Sequence, residues 1–157
     1  LIGSANGNKF MEIAQAYTFK ELIKAANKKL RMLSDRYVLT YDYDNKLDFS
    51  VIDTENDNNV RTAKGLSGGE SFIVSLSLAL GLSSFMAKDT KIQSFFLDEG
   101  FGTLDEKNLN KAMNALLSLK EEGKTIGIIS HVSALKDTIP LQIKVEKGGV
   151  LRGPGVN

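Results

Sequence analysis

The chain has 157 residues, 42% of them apolar and 25% charged, with a formal net charge of +1. This is enough chain for one domain with a real core. Near-neutral charge excludes a nucleic-acid partner chosen by global electrostatics, and the absence of cysteine excludes disulfides and thiolate metal sites. The lack of cysteine fits a reducing cytosol. No apolar run is expected to span a bilayer, and Leu1-Ile-Gly-Ser is no signal peptide. A start at Leu1 rather than Met is expected of a piece of something longer.

Gly3 to Lys9 (Gly-Ser-Ala-Asn-Gly-Asn-Lys) lacks the spacing of a phosphate-binding P-loop, is followed by Phe10, and reads as a loop entering a helix. A short helix is predicted from Lys9 to about Ala16. A second, capped at Thr18, runs to about Ser34 on the apolar stripe Phe19, Leu22, Ile23, Ala26, Leu30 and Leu33. Lys20, Lys24, Lys28 and Arg31 lie opposite, as a solvated face or a stripe for DNA phosphates. Arg36–Tyr43 and Leu47–Thr54 are rich in β-branched and aromatic residues around Asp44-Asn45 and predict a hairpin. After the polar turn Glu55–Asn59, Val60–Ala63 predicts a short strand.

Leu66-Ser-Gly-Gly-Glu70 opens the apolar run Ser71–Met86, too long for a strand and read as a buried helix. Ser67 and Glu70 have the spacing of a capping box. Two glycines at a helix start also let a ligand approach the backbone, where free N–H groups and the helix dipole favour a phosphate. Both readings stand at this point. After the polar loop Ala87–Lys91, Ile92–Leu97 suits a central strand covered on both faces. Asp105 caps a predicted helix to Glu122, with Leu109, Ala112, Met113, Leu116 and Leu117 inward and Gly123 as its stop. Strand Thr125–Ile129, a short helix Val132–Asp137, a break at Pro140 and strand Leu141–Glu146 follow. This alternation predicts a parallel sheet with right-handed crossovers, and the glycine-rich end from Gly148 to Asn157 is expected to be mobile.

Asp98 and Glu99 end the Ile92–Leu97 strand, and His131, the single histidine, follows the Thr125–Ile129 strand. In open parallel sheets ligands bind at this edge. Asp98 is suited to hold Mg²⁺ and Glu99 to polarise a water, while His131 can donate to a phosphate oxygen. Each has a plainer reading, as a solvated loop pair and a surface histidine.

Leu-Ser-Gly-Gly-Glu, an apolar helix, a strand ending Leu-Asp-Glu, then Gly102-Thr-Leu-Asp105 and Ile-Ile-Ser-His131 together resemble the ABC ATPase order of signature, Walker B, D-loop and H-loop. Gly100 and Ser71-Phe72 stand where transporters carry proline and a basic run. Phe96-Leu-Asp-Glu-Gly-Phe-Gly-Thr-Leu-Asp105, Gly123-Lys-Thr-Ile-Gly-Ile-Ile-Ser-His131 and the stretch from Leu1 through Ala16 are similar to the bacterial SbcC family, the SMC-like ATPase partners of SbcD nucleases. The resemblance covers nearly the whole chain.

It implies an α/β fold: the C-terminal half of an ABC/SMC-type head, mainly parallel sheet flanked by helices, with an antiparallel hairpin near the N-terminal side. Residues 1–36 would follow the coiled coil, 37–63 supply strands, 64–147 carry the motifs and 148–157 form a tail. It further implies that Ser67, Gly68, Gly69 and Glu70 meet ATP bound to an opposing subunit. Asp98 would bind Mg²⁺, Glu99 act as general base, His131 sense the γ-phosphate and Asp105 communicate across the dimer. Implied partners are the N-terminal lobe of the same protein, a second SbcC head, an SbcD-type nuclease and DNA, in the cytoplasm and without a membrane. Neither a Walker A loop nor a Q-loop is present, so the fragment alone is expected to be inactive. The alternatives are a non-enzymatic SMC-type structural head and a nucleotide-binding subunit of a transporter, the latter disfavoured at Gly100 and Ser71.

Overall fold

The computed structural model describes residues 7–42, 47–86, 93–136, 138–139, 141–146 and 149–154. Helix α1 runs unbroken from Asn8 to Leu33. The expected boundary at Thr18 is absent: its hydroxyl donates back to the Ala14 carbonyl at 2.8 Å, a bond that a threonine can make inside a helix. The C-terminal half of α1 buries Ile23, Ala26, Leu30 and Leu33 at helical spacing. Phe10, Met11, Ile13 and Tyr17, in the other half, are exposed.

Strands β1 (Tyr37–Tyr41), β2 (Phe49–Asp53) and β3 (Asn59–Thr62) form an antiparallel sheet in that order. The expected hairpin is thus formed, although its Asp44-Asn45 turn lies outside the described residues. The β2–β3 turn places Asp57 and Asn58 at positive φ, which short polar side chains tolerate. Asn27 fixes the sheet to α1: its amide nitrogen donates to the Leu39 carbonyl and its oxygen accepts the Leu39 N–H, both at 2.8 Å.

Helix α2 (Gly68–Met86) packs along α1 and buries Ile73, Val74, Leu76, Ser77, Leu80, Gly81 and Ser83. Its length and composition would allow it to cross a bilayer, contrary to the sequence expectation, although seven of its 19 positions are buried within the fold. At Gly81 the helices are tightly apposed: an added Cβ would stand 2.6 Å from both the nitrogen and Cα of Ala26. Backbone atoms cannot yield as a rotamer can, so the helices would have to separate. Gly81→Ala is expected to cost about 3 kcal/mol, the upper end for overpacking. A urea unfolding midpoint unchanged by this substitution would refute the packing.

Helix α3 (Glu106–Glu121) is capped by Asp105, which accepts the Asn108 N–H at 2.8 Å. Leu109, Ala112, Met113 and Leu116 are buried as predicted, but Ala115 and Leu119 complete the inner face and Leu117 points outward. Gly123, at φ 81°, turns the chain out of the helix.

Strands β4 (Ser94–Asp98) and β5 (Thr125–Ile129) pair in parallel, Ser94 opposite Thr125 and Asp98 opposite Ile129. Ile92, placed in the first strand by sequence, lies outside the described residues. Among the described residues, the strand expected to be doubly covered is covered on one face: Phe95 and Leu97 pack on the core, whereas Phe96 is 78% exposed. The ring of Phe96 lies over Gly127, whose added Cβ would meet it at 2.7 Å.

The predicted helix after His131 is a single 3-10 turn, Ser133–Leu135. Strand β6 (Leu141–Glu146) does not pair with β4 or β5. It forms a separate antiparallel pair with β7 (Gly149–Pro154), in the segment expected to be mobile. Two intervening residues suffice for a hairpin but not for a parallel crossover. Leu141, Ile143 and Val145 are all exposed.

Candidate functional site

The residues singled out by sequence fall in two places, one at the start of α2 and one at the carboxyl edge of the β4–β5 pair. At the first, the capping box is formed. Glu70 Oε2 accepts the Ser67 N–H at 2.7 Å, and the Glu70 N–H approaches Ser67 Oγ at 3.4 Å. The Glu70 carboxylate is further committed: Tyr37 Oη donates to it at 2.7 Å and Arg61 Nη2 at 3.0 Å. Arg61 also reaches Asp53 at 3.2 Å. Asp53 is 1% exposed and receives a bidentate pair of 2.7 Å bonds from Arg36.

Burial alone would raise the Glu70 pKa, but the bonds from Arg61, Tyr37 and Ser67 outweigh it and hold it at about 2. Burial, aided by the bond to Glu70, raises the Tyr37 phenol to about 12, so Tyr37 stays a donor. Glu70 therefore anchors the helix start to the β1–β3 sheet, and its oxygens face its own chain. Sequence reasoning missed Arg36, Tyr37, Asp53 and Arg61. An aspartate closing an apolar strand was the one available signal, and nothing in the chain order pairs it with two arginines.

Gly68 and Gly69 approach a protein loop. A Cβ on Gly69 would stand 2.7 Å from the Thr103 carbonyl oxygen, and one on Gly68 would stand 3.2 Å from Thr103 Cγ2. Beside them lies a cleft of about 440 Å³ bordered by Ser67, Gly69, Glu70, Thr103, Asp105 and Lys107. Asp105 is thus brought next to the helix start. Both of its oxygens bond within α3, to the backbone and side-chain nitrogens of Asn108.

At the sheet edge, Asp98 is the last residue of β4, and the Glu99 N–H continues the ladder by donating to the Ile129 carbonyl at 2.9 Å. Glu99 has φ 58°, left-handed, and Gly100 follows at φ 87°. The turn throws the Glu99 side chain outward, where it is 69% exposed. Its Oε1 lies 4.0 Å from Nδ1 of His131, itself 83% exposed. Asp98, Glu99 and His131 therefore share one open edge, as their strand positions predict. Among the described residues no three acidic or histidine groups converge on a metal position. A lone Asp98 nevertheless fits Mg²⁺, which keeps several waters and takes one or two carboxylates besides phosphate oxygens.

A family model described as "SbcC/RAD50-like, Walker B motif" matches residues 39–118. The chain is 44% identical over 149 residues to the SbcC component of the SbcCD nuclease of Pseudomonas aeruginosa, covering 95% of this chain and 12% of that protein. It is 40% identical to the SbcC component of Deinococcus radiodurans over 89% of this chain and 15% of that one. The chain thus spans only a small part of these relatives. Among solved structures, it superposes with a TM-score of 0.71 at 13% identity on a chain from work on ATP-driven dimerization and DNA-stimulated activation of SMC ATPases. That alignment covers 91% of this chain and 88% of the other. The SMC head domain of Thermotoga maritima gives 0.59 at 18% identity, over 92% and 51%. The fold is that of an SMC-type head.

Proposed function

Since the chain belongs to the SbcC/RAD50-like family, we propose that it is the C-terminal ATPase lobe of an SbcC-like protein, serving two different nucleotides at once. The observation that carries this reading is that its candidate residues fall in two places: the cleft at the α2 start is bordered by Ser67 and Gly69 but by none of Asp98, Glu99 and His131. The α2 start offers Ser67, Gly68 and Gly69 beside a polar cleft, while the β4–β5 edge offers Asp98, Glu99 and His131, with the last two more than two-thirds exposed. Such an arrangement suits a dimer in which the edge handles one ATP and the α2 start covers the ATP of the opposing protomer.

In the mechanism, Glu99 accepts a proton from the water that attacks the γ-phosphorus, and the bond to the ADP oxygen breaks. His131 donates to a γ-phosphate oxygen. Asp98 would hold Mg²⁺, which supplies charge neutralisation on the phosphates. Ser67 and the free N–H groups of the first turn of α2 meet the γ-phosphate from the opposite side. Glu70 is assigned to holding that helix end, since its carboxylate is already occupied by Arg61, Tyr37 and Ser67.

The exposed apolar side chains Phe96, Ile129, Leu141, Ile143 and Val145 support a covering partner, the N-terminal lobe of the same protein, which would bring the phosphate cradle. The whole protein is proposed to act with an SbcD-type nuclease on DNA ends and hairpins in repair and recombination, in the cytoplasm and without a membrane. The isolated chain is expected to show no ATP turnover above background. Mixing it with the matching N-terminal lobe should restore hydrolysis, and robust Mg²⁺-dependent turnover by the chain alone would refute the half-site reading.

A further inference from the structure

Two positions that set this chain apart from transporters by sequence are one contact in space. A Cβ on Gly100 would stand 2.3 Å from Cδ2 and 2.6 Å from Cε2 of Phe72, so the ring of Phe72 fills the place where any other residue would carry its side chain. The ring then meets Phe101 edge-on, with centroids 4.8 Å apart, and Phe101 is 1% exposed. Phe72 lies one turn beyond Gly68 and on the same side of α2, so residues 68, 69 and 72 all bear on the loop from Gly100 to Thr103. On its other side the turn is tied by the Glu99 N–H to Ile129, and it is closed by Thr103 Oγ1 donating to the Gly100 carbonyl at 2.6 Å. Glu99 at φ 58° occupies a conformation that a non-glycine residue keeps only when its surroundings impose it. The β5 backbone holds the Glu99 N–H on one side of the turn, and the Phe72 ring abuts Gly100 on the other.

We propose that Phe72 is a positioning residue: its ring, seated against Gly100, sets the left-handed Glu99–Gly100 turn and couples the hydrolytic carboxylate of one ATP site to the helix end that serves the other. The inference rests on the role proposed above for Glu99. It has a structural rival, in which Phe72 is only core filling and its loss lowers stability without touching the chemical step. The α2 start has its own fastening through Glu70, Arg61 and Tyr37, so removing the ring should spare the end that meets the opposing nucleotide.

The test is a double-mutant cycle in the full-length protein, with kcat, KM and dimerisation on a non-hydrolysable ATP analogue measured for each variant. Phe72→Ala is expected to lower kcat about 10-fold, with KM and analogue-driven dimerisation within about 2-fold of the parent. Gly100→Ala should be severe when the ring is present and at least about 5-fold milder when combined with Phe72→Ala, because the strain of alanine at positive φ is common to both backgrounds and cancels. Thermal melting is read first, and if Phe72→Ala does not fold, Phe72→Leu takes its place under the same criteria. Unchanged kcat, additive effects of the two substitutions, or loss of dimerisation in step with kcat would each overturn the inference. Glu99→Gln in the same series separates the two levels. Hydrolysis retained by that variant refutes the role of Glu99 and the inference with it, whereas its loss beside an unaffected Phe72 variant refutes the inference alone.

Discussion

Glu99→Gln in the full-length protein is expected to bind ATP and dimerise while hydrolysis falls by about 10²–10⁴-fold, the usual worth of a general base. The amide keeps the volume of the carboxylate and can still hold a water, but it cannot take the proton. Little else should change. The Glu99 side chain is 69% exposed, and the His131 ring lies 4.0 Å from its carboxylate, too far for a hydrogen bond that the fold would miss. Its backbone N–H, which does serve the fold by bonding Ile129, is untouched by the substitution. The trapped species should therefore accumulate as a closed, nucleotide-bound dimer. Asp98→Asn is predicted to differ in kind: it removes the carboxylate proposed to hold Mg²⁺ and should weaken Mg²⁺–ATP binding itself. Equilibrium binding of a fluorescent ATP analogue distinguishes the two. Equal loss of binding in both variants would defeat the separate roles assigned to adjacent carboxylates.

Much of the fold is legible in the sequence because it is local. The Asp105 cap, the Gly123 exit and the extent of Thr125–Ile129 follow from nearest-neighbour chemistry, and all three are observed. The misreadings arise where a local signal meets a distant one. Thr18 has the spacing of a cap, but with helix-forming residues on both sides its hydroxyl turns back to Ala14 and the helix continues. Leu117 sits on the predicted stripe of α3, yet packing against α1 and β5 turns Ala115 and Leu119 inward instead. The apolar run at Phe95–Leu97 correctly announces a strand meant for burial, but only the Phe95 and Leu97 side finds its cover within the described residues.

The candidate site shows the same division. The positions of Asp98, Glu99 and His131 on one edge follow from strand register, whereas the anchoring of Glu70 by Arg61 and Tyr37, 9 and 33 positions away in sequence, does not. Nor does the seating of Phe72 on Gly100. The sequence marks both as unusual, but only the packing joins them.

Ser67→Arg should have the sharpest consequence, because here the capping and phosphate readings of Leu66–Glu70 predict opposite results. The structure makes the cap itself a small matter. The side-chain half of the box is the long one, 3.4 Å from the Glu70 N–H to Ser67 Oγ, while the short 2.7 Å bond uses the Ser67 backbone N–H and survives any side chain. Losing the hydroxyl should cost on the order of 1 kcal/mol or less, and the Arg61–Glu70–Tyr37 contacts keep the helix end in place. A cap alone would therefore leave ATP-dependent dimerisation essentially intact. If the helix end instead receives the opposing protomer's γ-phosphate, a bulky guanidinium beside Gly68 and Gly69 blocks the close approach that those backbone N–H groups require, and its charge does not repair the misfit. The expected outcome is a folded protein that binds ATP in single protomers yet neither dimerises nor hydrolyses it. Sedimentation with a non-hydrolysable analogue reads this directly. A variant that still dimerises on nucleotide, or one that simply unfolds, would leave Ser67 with the cap as its only role.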